Sequence, residues 1–346
     1  MGDTQRNDAQ ASFIEYIERY RELVDDTLLN CPQTTDNHEI ETYLHIPVMH
    51  FLAGGGKRTR PIMCLLACEA VGGSVDDALI TACSIERFQT AAIIHDDICD
   101  EGELRRGQPC LHKSEGVGIA LNCGDAALVS VNACILSDEH LSDAVKLRVL
   151  RELTAMMEKT CEGQALDVGW ARDGRWDIGI NDYLVMATNK TAHYSGAVPL
   201  ALGAIVGGGS DEQIEALRSF GLDAGLAFQL QDDLLNLVGD PETQGKDFRT
   251  DITEGKRTLV VVHALSHLTG DEREEFLSIL SSHETDPARL ARAVELMEKT
   301  DSINYCHRFA ESLVERAKKE LEAVELEGWA LETLTSMADF FVERLG

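Results

Sequence analysis

The stretch IEALRSFGLDAGLAFQLQDDLL, residues 214–235, decides the fold. Its apolar residues Ile214, Leu217, Phe220, Ala224, Ala227, Leu230 and Leu234 recur every three or four positions. That is the period of an amphipathic helix, whereas a half-buried strand alternates every second residue. The same spacing runs through FIEYIERYRELVDDTLL, residues 13–29, and sustained two-residue alternation is absent from the 346-residue chain. The expected fold class is all-α. VGGSVDDALI (71–80) and VGGGSDEQIEAL (206–217) share one grammar: glycines close a helix, Ser74 or Ser210 caps the next, and acids fill its first turn. Pro61, after GGGKRTR, marks another helix start. Such short connections imply an antiparallel helical bundle. With no low-complexity linker or shift in composition, residues 1–346 are expected to form a single domain, and 166–182 is its longest irregular connection.

An apolar content of 44% is ample for a core at this length. With 31 basic and 60 acidic residues, the net charge of -29 argues against nucleic acid or an anionic membrane as a general partner. Acids spread along the whole chain fit a surface kept hydrated in high salt, so a halophilic source is expected. The ten cysteines show no C-x-x-C pair or signal-peptide pattern, which implies reduced thiols and a cytoplasmic location. No apolar run is expected to reach the roughly 20 residues of a membrane helix.

The opening stretch also ends on carboxylates. FQLQDDLLNLVGD (228–240) holds Asp232, Asp233 and Asn236, and IIHDDICDEGELRRG (93–107) holds Asp96, Asp97 and Asp100. In both, oxygen side chains at i, i+1 and i+4 follow an apolar approach and share a helical face. Clustered carboxylates repel one another and resist burial, so a counter-charge is expected. If the two helices faced each other, the acids would form a hard-oxygen cage suited to Mg²⁺. Chance in an acid-rich chain is the alternative, since Asp25–Asp26 and Asp76–Asp77 also occur, but those pairs lack the apolar approach and the third oxygen ligand. Each cluster has basic company: Lys57, Arg58 and Arg60 follow three glycines, Arg105 and Arg106 follow the first cluster, and Lys246 and Lys256 follow the second. Flexible backbone with cationic side chains suits a diphosphate. The Walker spacing is missing, so this is no P-loop.

These segments, GGGKRTRP, HDDICDEGELRRG, GDAAL, EGQALD, NKTA, FQLQDDLLNLVGD and GKDFRTDITEGKRT, resemble the trans-isoprenyl diphosphate synthases, or polyprenyl synthetases, in order over most of the chain. The resemblance implies a bundle of the isoprenoid synthase type around a deep central cavity. It also implies Mg²⁺-dependent condensation of isopentenyl diphosphate with an allylic diphosphate, three Mg²⁺ ions, and a homodimer. Carried over by motif, Asp96, Asp97 and Asp100 form the first metal cluster and Asp232 and Asp233 the second. Lys57, Arg60, Gln89 and Arg106 match positions holding isopentenyl diphosphate. Arg105, Lys190, Lys246 and Lys256 match positions holding the allylic diphosphate. Thr191, Gln229 and Gln164 line the reaction centre, supported by Asp167. Two departures stand out: Gln89 replaces a frequent histidine, and Asn236 replaces the usual third aspartate, which implies weaker affinity for one ion.

The implied mechanism ionises the allylic diphosphate, so the site must stabilise charge that grows as the bond breaks. A class I terpene cyclase is disfavoured because the second cluster lacks the Asn, Ser and Glu pattern of that class. A non-catalytic synthase subunit is disfavoured because nearly all acidic and basic motif residues remain. Product length is read upstream of Asp96. Ala92 and Ala91 stand four and five residues before it, roughly 6–8 Å along a helix, and Phe88 roughly 12 Å. Family members that stop at fifteen carbons resemble one another in having bulky aromatics at the two nearer positions. Small residues there imply a geranylgeranyl product, with longer prenyl chains as the alternative.

Overall fold

The computed structural model describes residues 2–30, 35–239 and 248–342, with side chains from residue 12 onward. The described residues are helical apart from their loops and one hairpin, β1 (Leu104–Arg105) against β2 (Gln108–Pro109). The all-α expectation holds. By packing, the chain divides into two compact units, and all but one of the boundaries fall inside helices, the exception being the connection at Val324–Glu325.

The first unit comprises Met1–Thr154, Pro199–Leu217 and Glu325–Leu334. It contains α1 (Gly2–Asn30), α2 (Ile46–Ala53), α3 (Thr59–Ala70), α4 (Val75–Cys99) and α5 (Val117–Ser137). Ser74 caps α4 as expected, its hydroxyl accepting the Asp77 N–H at 3.4 Å. From Thr81 to Ala91 every residue of α4 is buried, because α1, α3 and α5 pack around it. Phe13, Leu28, Ile62, Leu65, Ile85 and Ile94 form this core, each contributing about 1.5–3 kcal/mol by leaving water. One expectation needs correction. The 21-residue helix α5 is long and apolar enough, by length and composition alone, to cross a membrane. Asp125 and small polar residues mask the run in a residue-by-residue reading. In this fold α5 packs its Ala120, Cys123, Gly124 and Ala127 side into the unit and lies against α4.

The second unit comprises Ala155–Val198, Arg218–Val324 and Thr335–Gly346. In chain order the α-helices longer than four residues after α5, shared between the two units, are α6 (Asp143–Arg172), α7 (Ile180–Ala187), α8 (Val198–Val206), α9 (Asp211–Val238), α10 (Leu259–His267), α11 (Gly270–Leu280), α12 (Pro287–Lys299), α13 (Ser302–Leu321) and α14 (Gly328–Val342). Between α7 and α8 the chain forms a π-helix, Thr188–Ala197. At the start of α9, Ser210 and Gln213 cap reciprocally, with Gln213 N–H on Ser210 Oγ at 3.2 Å and Ser210 N–H on Gln213 Oε1 at 2.8 Å. The irregular connection expected at 166–182 shrinks to 173–179, since α6 runs through Arg172. Leu166 and Trp170, four apart and half-buried, keep the helix going past Gly169. It then ends at Gly174, φ 59°, where Gly174 N–H reaches Ala171 O and Arg175 N–H reaches Trp170 O.

Candidate active site

In the first unit, the C-terminal end of α4 carries the first acidic cluster. Asp96 is half-buried, Asp100 caps the helix in the open, and Asp97 is 2% exposed. Asp97 Oδ1 accepts both Nε (3.0 Å) and Nη2 (2.5 Å) of Arg105 on the hairpin, while its Oδ2 is buried with no hydrogen-bond partner. Burial opposes the charge on Arg105, but Asp97 overrides it and leaves the guanidinium pKa raised. The first acidic motif thus holds the first basic motif through its middle carboxylate.

The glycine-rich turn before α3 brings the other basic residues to the same hairpin. Gly55 and Gly56 take φ 81° and 144°, which free Arg106 Nη1 to donate to Gly55 O. A Cβ at Gly56 would lie 3.1 Å from Arg106 Nη2. Arg106 and Gly107 both have positive φ, 52° and 78°, as a two-residue hairpin turn of type I′ requires. Arginine is an unusual occupant of that conformation. Desolvation lowers the Arg106 pKa, and repulsion from Arg58, Arg105 and Arg60 adds to it against the pull of Glu86. Lys57 is exposed and Arg60 half-buried. Arg58, grouped with them by sequence, does different work. It is 4% exposed and donates to Asp25 Oδ1 (2.7 Å), Glu86 Oε1 (2.6 Å) and Leu52 O (2.6 Å). Gln89 lies inside α4 with its Oε1 buried and unpartnered. Phe88 and Ala91 are 5% and 2% exposed, and Ala92 is half-buried.

In the second unit, α6 and the π-helix meet at the EGQALD and NKTA segments. Lys190 Nζ pairs with Asp167 Oδ2 at 2.5 Å, and Asn189 Nδ2 donates to Glu162 Oε2 at 3.3 Å. Gly163 makes the approach possible, since a Cβ there would lie 2.1 Å from Lys190 N. Thr191 is buried, and Gln164 and Gln229 are half-buried. On α9, Asp232 is half-buried whereas Asp233 is enclosed. Gln229 Nε2 donates to Asp233 Oδ1 at 2.8 Å, and the Tyr183 hydroxyl donates to Oδ2 at 3.0 Å. Burial pushes the Asp233 carboxyl up to about 8, with Asp251 and Asp232 adding repulsion against those two donors. Asn236 turns its amide to residues 250 and 251. Lys256 lies 2.8 Å from Glu254 and 3.6 Å from Asp251. Lys246 lies outside the described residues. Among the described residues no three His, Cys, Asp or Glu side chains converge as a ready metal site.

Tyr183 and Asp251 are participants that the sequence alone did not single out. Tyr183 precedes Lys190 by seven residues, two turns along the same helical run, and Asp251 sits inside the GKDFRTDITEGKRT motif. Those positions were the available signal.

Comparison with known proteins identifies the family. The polyprenyl synthetase family model matches residues 41–297. The short chain isoprenyl diphosphate synthase of Methanothermobacter thermautotrophicus is 38% identical over 96% of this chain and 98% of its own. The geranylfarnesyl diphosphate synthase of Natronomonas pharaonis is 35% identical over 85% of this chain and 88% of its own. The geranylgeranyl pyrophosphate synthase of Corynebacterium glutamicum, solved in complex with isoprenyl diphosphate and magnesium, superposes with a TM-score of 0.82 at 27% identity, covering 98% of each chain. Both acidic motifs, and the basic segments that fall within the described residues, lie inside the matched region. The chain belongs to the polyprenyl synthetase family.

Proposed function

We propose that this enzyme condenses isopentenyl diphosphate with an allylic diphosphate, and that its product is geranylgeranyl diphosphate. The observation that carries the reading is the meeting of acidic and basic motifs at one hairpin, where Asp97 accepts from Arg105 and Arg106 donates to Gly55 O of the glycine-rich turn, an arrangement suited to a metal-bound diphosphate. The residues suit Mg²⁺: Asp233, pushed up to about 8 among its acidic neighbours, belongs to an oxygen-rich cluster that a divalent cation would hold ionised. Asp96, Asp100 and Asp232 are the proposed direct donors, with Asp97 and Asp233 adding negative charge behind them. Because no three acids converge unaided, the diphosphate oxygens and water would complete each shell. The bound metal, proposed as three ions, supplies charge neutralisation of the departing diphosphate.

The chain's own groups do the rest. Arg105 and Lys190, held by Asp97 and Asp167, donate to the allylic diphosphate as its C–O bond breaks, together with Lys246 and Lys256. Lys57, Arg60, Gln89 and Arg106 hold isopentenyl diphosphate so that its double bond faces the cation. Thr191, Gln164 and Gln229 line the reacting carbons, and the released diphosphate takes the proton. The proposal extends to one functional domain over 1–346 and a homodimer. Val117, Leu121, Val129 and Leu136, exposed on one side of α5, support a second copy as the cover of that face. Buried thiols at Cys64, Cys68 and Cys306 fit a reducing cytoplasm.

Incubation with Mg²⁺, isopentenyl diphosphate and allylic primers, followed by mass analysis of the dephosphorylated products, tests the reading. A twenty-carbon product is expected. Ala91→Phe should shorten it and Phe88→Ala lengthen it. A fifteen-carbon product alone from the parent would refute the chain-length assignment and leave the condensation intact, while a cyclised hydrocarbon would refute both.

A further inference from the structure

We propose that Asn236 is a positioning residue rather than a metal ligand, its amide clasping residues 249–251 onto α9 and so fixing Lys256. The inference rests on the function proposed above. Among the described residues, three bonds tie this one residue to the following segment: its carbonyl accepts the Arg249 N–H at 2.8 Å, its Oδ1 accepts the Asp251 N–H at 3.2 Å, and its Nδ2 donates to Thr250 Oγ1 at 2.9 Å. Arg249 enters that segment with φ 61°, so the backbone reverses there and starts the helical turn Thr250–Thr253.

Asp251 passes the constraint on. Its carbonyl accepts the Lys256 N–H at 2.8 Å, and its Oδ1 stands 3.6 Å from Lys256 Nζ. One residue thus meets Asn236 through its main-chain N–H and Lys256 through both its carbonyl and its carboxylate. The chemistry of position 236 follows. An amide donates and accepts at once, whereas a carboxylate only accepts and would need the Thr250 hydroxyl turned towards it. The family's usual third aspartate is therefore replaced here by a group whose two polar atoms hold the lysine-bearing loop.

Two variants of the full-length protein separate clasp from ligand. In metal-free protein with EDTA, Asn236→Ala should raise amide hydrogen exchange over residues 249–254 by about tenfold, the scale of one lost hydrogen-bonded contact. With Mg²⁺, it should raise KM for the allylic diphosphate at least threefold and leave KM for isopentenyl diphosphate within twofold. Asn236→Asp should leave the half-saturating Mg²⁺ concentration within twofold of the parent. A severalfold fall in that concentration for Asn236→Asp, or unchanged exchange in Asn236→Ala, would overturn the proposal. If Asn236→Ala does not fold, Thr250→Val carries the exchange measurement: at least threefold faster exchange supports the clasp, and no change overturns it. A parent inactive on both substrates would sink the prenyltransferase reading while the EDTA exchange result still decides the clasp.

Discussion

Burial separates the tasks of the basic residues in the GGGKRTRP turn. Arg58 is spent on Asp25, Glu86 and the Leu52 carbonyl, so Arg58→Ala would strand a buried Glu86 and is expected to cost about 3–5 kcal/mol in urea unfolding. Exposed Lys57 contributes little to folding. Lys57→Ala should leave stability within about 0.5 kcal/mol and raise KM for isopentenyl diphosphate. Among the acids, Asp96→Ala or Asp232→Ala should lower kcat by orders of magnitude at saturating Mg²⁺ with unchanged far-UV circular dichroism, because each removes charge rather than packing. Near-parental turnover in either would count against the metal assignment. One-residue spacings told Arg58 from Lys57 only through the family resemblance. Asp25, set aside in the sequence as part of an unaccompanied pair, proves to be an anchor, because its partner lies 33 positions away.

Among the helices, two glycines of α6 make opposite predictions. A Cβ at Gly163 would meet the Lys190 backbone at 2.1 Å, whereas a Cβ at Gly169 meets nothing within 4 Å. Gly163→Ala should destabilise by at least about 2 kcal/mol and raise KM for the allylic diphosphate by displacing Lys190 and Thr191. Gly169→Ala should stabilise by about 0.5–1 kcal/mol with unchanged kinetics. Equal behaviour of the two in urea melts and Michaelis constants would refute the close approach. The helix caps at Ser74 and Ser210 were legible because capping is a local matter of hydroxyls and amides. The π-helix was not, because TNKTAHYSGA (188–197) carries too few large apolar side chains to mark a period of either kind. The extent of the 173–179 connection was not legible either, since a glycine such as Gly169 marks a break only where packing fails to override it.

At the scale of the whole molecule, a net charge of -29 makes salt a stability variable. Screening shortens from about 10 Å at 0.1 M to about 3 Å at 1 M, so the repulsion among surface acids should fade over that range. The midpoint of thermal unfolding should rise between low and molar KCl, and a flat or falling midpoint would refute a halophilic design. Composition makes that much legible. The two compact units were not legible, because most of their boundaries lie inside α6, α8, α9 and α14, where nothing in the sequence changes.

The buried run of α4 from Thr81 to Ala91, just before Asp96, has a metric consequence on the proposed function. One helical turn advances about 5.4 Å, close to the reach of one five-carbon unit. On that proposal the helix would serve as a ruler graduated in isoprene units, read downward from its carboxylate end. A bulky residue moved by a full turn should change the product by one graduation, and one moved by half a turn, facing away, should change nothing.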